Sequence, residues 1–185
     1  MEKSLYFIAL LPPSSLSEKV DFLRNKLGET FGCKAALKSP PHITLVPPIH
    51  MTEVEAEELK QKISKTLEDY RGFDVRIGDI SWFSDRTVFF EVVTHIKALR
   101  SLKNDLLGDL DPRFSGLLNR RFHPHMTLAN RDIEASQKEA IMKAILEEKQ
   151  KLETIREASH RYDMIVFFKH NTKNWQEFKS YQLIK

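Results

Sequence analysis

The chain has 185 residues, 41% hydrophobic and 30% charged, a composition that supports one packed core and excludes a disordered or low-complexity chain. Its formal net charge is +3, too little for a protein that coats a nucleic-acid duplex but suited to small anions or single-stranded ends. Cys33 is the one cysteine, so an internal disulfide and a thiolate metal cluster are excluded, and a reducing, cytoplasmic setting is expected.

The apolar run Leu5–Leu11 is closed by Pro12 and Pro13. It is too short for a secretory leader or a membrane span and reads as a strand buried on both faces. A helix is predicted next, with Ser15 and Glu18 at capping-box spacing, a stripe of Leu16, Val20, Leu23 and Leu27, and Gly28 as its stop. The stretch Ser39-Pro40-Pro41-His42-Ile43-Thr44-Leu45-Val46-Pro47-Pro48 is β-prone but fenced by prolines, which predicts a strand that is short or near a sheet edge. A second helix starts at Thr52, boxed by Glu55, with Ala56, Leu59, Ile63 and Leu67 inward.

Two strands, Phe73–Phe83 and Thr87–Val93, flank a turn at Ser84-Asp85-Arg86, and Ile96, Leu99, Leu102, Leu106 and Leu110 mark a third helix. Asp111-Pro112 opens a loop to Arg120-Arg121, and Phe122–Leu128 is then extended. A fourth helix begins at Ser136 and Glu139 and runs through Ile141, Ala144 and Ile145. Three β candidates close the chain: Leu152–Ala158, Tyr162–Phe168 and Phe178–Ile184. No linker composition interrupts the string, so residues 1–185 are expected to form a single domain.

One pentapeptide recurs. Pro41-His42-Ile43-Thr44-Leu45 returns as Pro124-His125-Met126-Thr127-Leu128. Two copies predict a duplicated unit with halves of about 1–84 and 85–185, related by a pseudo-twofold. Side chains alternate along a strand, so His42 shares a face with Thr44, and His125 with Thr127, opposite the apolar residues. If the two His/Thr faces converge, they suit phosphodiester chemistry. One neutral imidazole takes a proton from water while the other, protonated, gives one to the leaving oxygen. Attack and departure are in line, which requires the imidazoles roughly 6–8 Å apart on opposite sides of phosphorus. The threonine hydroxyls can donate to the non-bridging oxygens. A lone His-x-Thr would mean little; paired copies set between Pro and Leu favour catalysis over a structural role. No cluster of ligands at metal spacing appears, so neither metal nor cofactor is expected.

These motifs, with the opening Leu5-Tyr6-Phe7-Ile8-Ala9-Leu10-Leu11-Pro12, resemble the 2H phosphoesterase superfamily, and within it the LigT-like 2′-5′ RNA ligases and RNA 2′,3′-cyclic phosphodiesterases. The resemblance implies an α+β fold, bilobal, with two antiparallel sheets forming a central cleft and helices outside. It implies His42 and His125 as catalytic residues and Thr44 and Thr127 as phosphate binders. It also implies an RNA end or a small cyclic-phosphate nucleotide as substrate. The sequence itself leads us to expect a cytoplasmic monomer with no membrane association and no obligate protein partner. Many members continue the second motif as Thr-Leu-Ala-Arg, whereas this chain reads Thr127-Leu128-Ala129-Asn130-Arg131. Arg131 is the candidate phosphate contact that the resemblance implies, but it is displaced by one residue, a shift that reverses the face of a strand side chain.

Phe7, on a strand that borders the cleft in the resemblance, and Phe122, beside the second motif, are candidates for base stacking. Lys38, Arg120 and Arg121 flank the motifs and could steer an anion. His123 makes a His-Pro-His spacing with His125, but further ligands are missing for a metal site. His50, His95, His160 and His170 read as surface residues, Trp82 and Trp175 as core or lobe-packing residues. Hydrolysis of a 2′,3′-cyclic phosphodiester is the expected function; 2′-5′ RNA ligation or cleavage, and non-catalytic RNA or nucleotide binding, are the alternatives.

Overall fold

The structure is a computed structural model that describes residues 2–108, 110 and 112–184. Strand β1 (Ser4–Leu11) carries the first apolar run. Helix α1 (Ser14–Phe31) starts one residue before the expected cap: Pro13 is the N-cap, and no side-chain bond closes the end. It also passes Gly28 and stops at Gly32, whose φ of 76° is the left-handed conformation glycine adopts cheaply. Gly28 matters for space instead, since a Cβ there would stand 3.2 Å from Leu37 Cδ1. A 3-10 turn (Ala35–Lys38) leads into β2 (Ile43–Met51).

Helix α2 (Glu53–Thr66) carries the predicted capping box, with Thr52 and Glu55 exchanging both bonds. Then follow β3 (Phe73–Phe83), β4 (Thr87–Val92) and α3 (Ile96–Gly108). Asp111 lies outside the described residues; Pro112–Leu117 is a 3-10 turn within the expected loop. The second motif lies in β5 (His125–Asn130), and α4 (Lys138–Leu146) follows another 3-10 turn at Ala135–Gln137.

The β candidate Leu152–Ala158 is a misreading. It belongs to α5 (Lys149–Arg156), whose two buried residues, Leu152 and Ile155, are three apart as on a helix face. The last strands are β6 (Ser159–Tyr162), β7 (Met164–His170) and β8 (Trp175–Gln182).

The fold is thus α+β. The strands form an eight-stranded antiparallel sheet in the order β6-β3-β4-β5-β2-β1-β7-β8. The two sheets expected from the resemblance are joined into one, and the join is a single residue pair, Ile43 with Met126. The expected short or edge position of β2 is corrected by the same seam. β2 is long and central, yet among the described residues it pairs beyond Ile43 only with β1. Its free side lets Pro47 and Pro48 sit in the strand without costing ladder bonds, and the β1–β2 register shifts beside them. β3 joins β4, while β7 and β8 join β1.

Helices cover one face. Leu16, Val20 and Leu23 of α1, Ile63 of α2, Leu99 and Leu102 of α3 and Ile141 of α4 share a core with Ile43, Leu45, Met126 and Leu128. The second buried cluster, Phe7, Ala9, Val166 and Phe168, contains no helical residue and lies on the opposite face of β1 and β7. His42, Thr44, His125 and Thr127 belong to that opposite face.

Candidate active site

The seam pair fixes the site. Antiparallel register carried one residue either way from Ile43 and Met126 sets His42 across from Thr127 and Thr44 across from His125. Each histidine therefore faces the other motif's threonine, and the two histidines are diagonal neighbours, positions that stand ~7–8 Å apart with their Cβ atoms somewhat closer. Both histidines and both threonines line one cleft of about 880 Å³. All four are partly buried, while the intervening Ile43 and Met126 are fully buried beneath.

The rings are held alike. His42 Nδ1 lies 2.7 Å from the Pro40 carbonyl, and His125 Nδ1 lies 2.7 Å from the His123 carbonyl. A carbonyl only accepts, so each Nδ1 carries its proton, and each Nε2 is a bare acceptor when the ring is neutral and a donor when it is charged. Each accepting carbonyl belongs to the residue two before the histidine, with a proline between: Pro40-Pro41-His42 and His123-Pro124-His125. Proline holds the preceding residue extended and has no N–H to compete for the ring. His123 thus contributes its backbone carbonyl to the His125 ring. Among the described residues, no group of three or more His, Cys, Asp or Glu side chains could hold a metal ion.

Aromatic rings dry both sites. Phe7 lies 5.0 Å from the His42 ring; Phe83 and Phe89 each lie 4.9 Å from that of His125. Burial pushes the His42 imidazole down to about 4, with the nearby charges of Arg24 and His125 adding to the fall and the Pro40 bond opposing it. Burial also lowers His125, against its bond to His123 and with help from the His123 ring.

Two buried cations brace the loops that deliver these rings. Arg24, on α1, is 2% exposed; its Nη2 donates to Ser39 O at 2.7 Å and its Nη1 to Asp21 at 2.9 Å. Lys103, on α3, is 4% exposed; its Nζ donates to Leu118 O at 3.3 Å and Arg120 O at 3.4 Å. Neither was visible in the sequence as more than a polar residue within a helix. The signal lay in their phase, because each falls on its helix's buried side beside Leu23 or Leu102.

The remaining candidates separate. Phe7 reaches the cleft but is 4% exposed and stacked on Phe168, 4.7 Å away, so it floors the site under His42. Phe122 packs on the helix-side core with Lys103 near its ring, away from the cleft lining. Arg131 lines the cleft despite its displacement: β5 ends at Asn130, and a φ of 67° at Arg131 turns the chain, so strand alternation no longer decides where it faces.

Lys38 lines the cleft; Arg120 and Arg121 are exposed and do not. Trp175, read as a core or lobe-packing residue, and His170, read as a surface residue, both line the cleft, ring against ring at 4.9 Å. Trp82 packs against the core as expected. Cys33 is buried, and burial raises its thiol, which is the opposite of an activated nucleophile.

A family model described as the 2′-5′ RNA ligase superfamily matches residues 12–174. No curated protein matches the chain. Among solved structures, apo LigT of E. coli is 18% identical over 100% of both chains with a TM-score of 0.63. The protein TT0787 of Thermus thermophilus is 15% identical over 97% of both with a TM-score of 0.69, and a crystallised phosphoesterase is 17% identical over 100% of both at 0.64. These likenesses show the fold. Together with the motif pair at the seam, the family match over most of the chain's length gives its place: the protein belongs to the 2′-5′ RNA ligase superfamily of 2H phosphoesterases.

Proposed function

We propose that the protein hydrolyses 2′,3′-cyclic phosphodiesters, at RNA ends or on nucleotides, by metal-independent two-histidine acid–base catalysis. The observation that carries this reading is the matched pair of imidazoles, each with Nδ1 tied to a carbonyl, on diagonal positions across one antiparallel seam. That arrangement leaves both Nε2 atoms for proton transfer on either side of one phosphorus. Support also comes from E. coli LigT, which has been crystallised with 3′-AMP, with ATP and with phosphate.

In the proposed step a water oxygen bonds to phosphorus as one of the two phosphorus–oxygen bonds to the ribose, at O2′ or O3′, breaks. One histidine takes the water proton, the other protonates the departing ribose oxygen, and Thr44 and Thr127 hydroxyls donate to the non-bridging oxygens. His42 is assigned as base, because it is the ring held more strongly in the neutral form, and His125 as acid. The aromatic, partly closed walls strengthen these contacts by excluding water.

The test is turnover of 2′,3′-cyclic nucleotides and cyclic-phosphate RNA with EDTA present. His42→Ala and His125→Ala should each lower the rate by at least ~10²-fold. An aryl phosphodiester with a good leaving group should rescue His125→Ala but not His42→Ala; the reverse would exchange the roles. The same pair could run 2′-5′ ligation or cleavage, a reading favoured by the family's description, and 2′-5′-linked dinucleotides belong in the panel. Binding without turnover of any phosphodiester would make the protein a nucleotide binder.

A further inference from the structure

The cleft extends past the four catalytic positions in both directions along β2, and its ends differ in chemistry. At one end, beyond Thr44, Pro47 and Pro48 line the cleft together with Leu5, His170 and Trp175. Trp175 is the half-buried ring there: its neighbour Phe7 meets it edge-on at 4.6 Å, and His170 lies 4.9 Å away. Phe7 in turn touches the His42 ring, so the Trp175 indole is one ring removed from the catalytic histidine.

At the other end, before His42, the lining is cationic. Lys34, Lys38 and Arg131 are exposed there, and Arg24 is buried behind them with its Nε–H lacking an acceptor. Asn130, also in the lining, has an unpartnered buried amide oxygen, and an amide is free to turn its NH2 to an anion instead. Asp132 is the counter-charge, but its Oδ2 accepts the Lys34 and Ala35 backbone N–H groups at 2.7 Å each. It thereby ties β5's end to the lysine-bearing turn. Pro41 to Pro47 spans roughly 20 Å at ~3.3 Å per residue, room for a nucleotide and a further phosphate.

We propose that the aromatic end, Trp175 with His170, is a nucleobase platform and that the basic end, Lys34, Lys38 and Arg131, holds the phosphate on the 5′ side of the same ribose. The preferred substrate is then a 5′-phosphorylated 2′,3′-cyclic end, as in an oligonucleotide, and not a bare cyclic mononucleoside. This rests on the catalytic reading above for the position of the scissile phosphorus. The nucleotide's own connectivity supports it. A cyclic phosphate closes on O2′ and O3′; the base leaves the ring at C1′, next to C2′, and the 5′ carbon leaves at C4′, next to C3′. With phosphorus pinned at the centre, base and 5′-phosphate diverge toward opposite ends. An indole face suits any base by stacking, and two lysines with an arginine suit a phosphate.

The experiment compares kcat/KM for a nucleoside 2′,3′-cyclic phosphate with and without a 5′-phosphate. The phosphorylated form should be favoured roughly tenfold at low salt, as a few partly screened charge contacts allow, and the preference should shrink as salt rises. Lys34→Glu/Lys38→Glu, both exposed positions, should collapse that ratio toward one. Trp175→Ala should raise KM for both substrates more than it lowers kcat. An equilibrium arm is independent of turnover: a nucleoside 3′,5′-bisphosphate should bind about tenfold tighter than the 3′-monophosphate. Binding should quench indole fluorescence in the wild type but not in Trp175→Phe. A substrate ratio near one, or equal binding of the two nucleotides, overturns the subsite. Preferential bisphosphate binding without any turnover would keep the subsite and defeat the catalytic reading instead.

Discussion

Replacing Arg24 with methionine tests whether the buried cation brace sets the catalytic geometry. Methionine keeps an apolar stem in the site but removes two charged hydrogen bonds, to Ser39 O and to Asp21. Bonds of that kind contribute ~1.5–3 kcal/mol each. Part is offset, because burying the guanidinium itself is costly, as its lowered pKa shows, and because Asp21, whose carboxyl burial already pushes up, can take a proton. A net loss of about 2 kcal/mol is expected, a fall in Tm of about 4–8 °C for a chain of this size.

The functional effect should exceed the stability effect. Ser39 O belongs to the same turn as Pro40 O, which holds the His42 ring. Misplacement by about 1 Å costs up to ~10²-fold in rate, so kcat/KM at a temperature where the variant is folded should drop ~10–100-fold. Arg24 is also one of the charges that depress His42, so the acid limb of the kcat/KM profile should move to higher pH in Arg24→Met. Arg24→Lys keeps the charge but loses the two-pronged fork, and should leave the limb in place while still slowing the reaction. Unchanged kcat/KM and an unshifted limb in folded Arg24→Met would refute the coupling of brace and ring.

Lys103→Met should act on the second motif in the same way, lowering kcat/KM without shifting the acid limb, measured by the same pH series. The double variant His42→Ala/His125→Ala should be scarcely slower than either single one, since the two rings act as a unit; multiplicative losses in single-turnover rates would mean independent roles. Both histidines are depressed, so the kcat/KM optimum of the free enzyme should fall below 6.5, with an acid limb near 4 set by His42; an optimum at 8 would contradict it. The unfolded His42 binds a proton below about 6.5, whereas the folded ring does so only near 4. Folding stability should therefore be lost as pH falls through that window, and His42→Asn should flatten the dependence seen in urea titrations.

The meeting of the two His/Thr pairs in one cleft was legible because its signal is local and doubled. Pro-His-x-Thr-Leu fixes extended backbone and assigns faces by alternation, and the fold only had to bring the two copies to one seam. The parts that escaped depend on pairing or on phase. The candidate strand at Leu152–Ala158 has too few apolar residues to separate period 2 from period 3.6, and helix packing decided it. Arg131 was judged by strand alternation one residue past the point where the strand stops. Trp175 and His170 are cross-strand partners in the β7–β8 hairpin, and only the pairing of β7 with β1 carries them to the cleft.

The braces show why the seam can be so narrow. A single β2–β5 pair is a weak joint for a site that must hold two imidazoles to within a fraction of an ångström. Each ring is instead fixed from its own side by a carbonyl two residues upstream, and a buried cation on the preceding helix ties down backbone just before it: Ser39 for His42, Leu118 and Arg120 for His125. The helix-side core then sets the relative position of α1 and α3, because Leu23 and Leu102 share it with Ile43 and Met126 at the seam. The relative placement of the two rings thus derives from helix packing on the far face of the sheet. It follows that Leu102→Ala, a cavity far from any substrate atom that should cost about 2–5 kcal/mol of stability, should also slow turnover in the fraction that remains folded. Full activity per folded molecule in that variant would show that the seam pair alone is enough to align the rings.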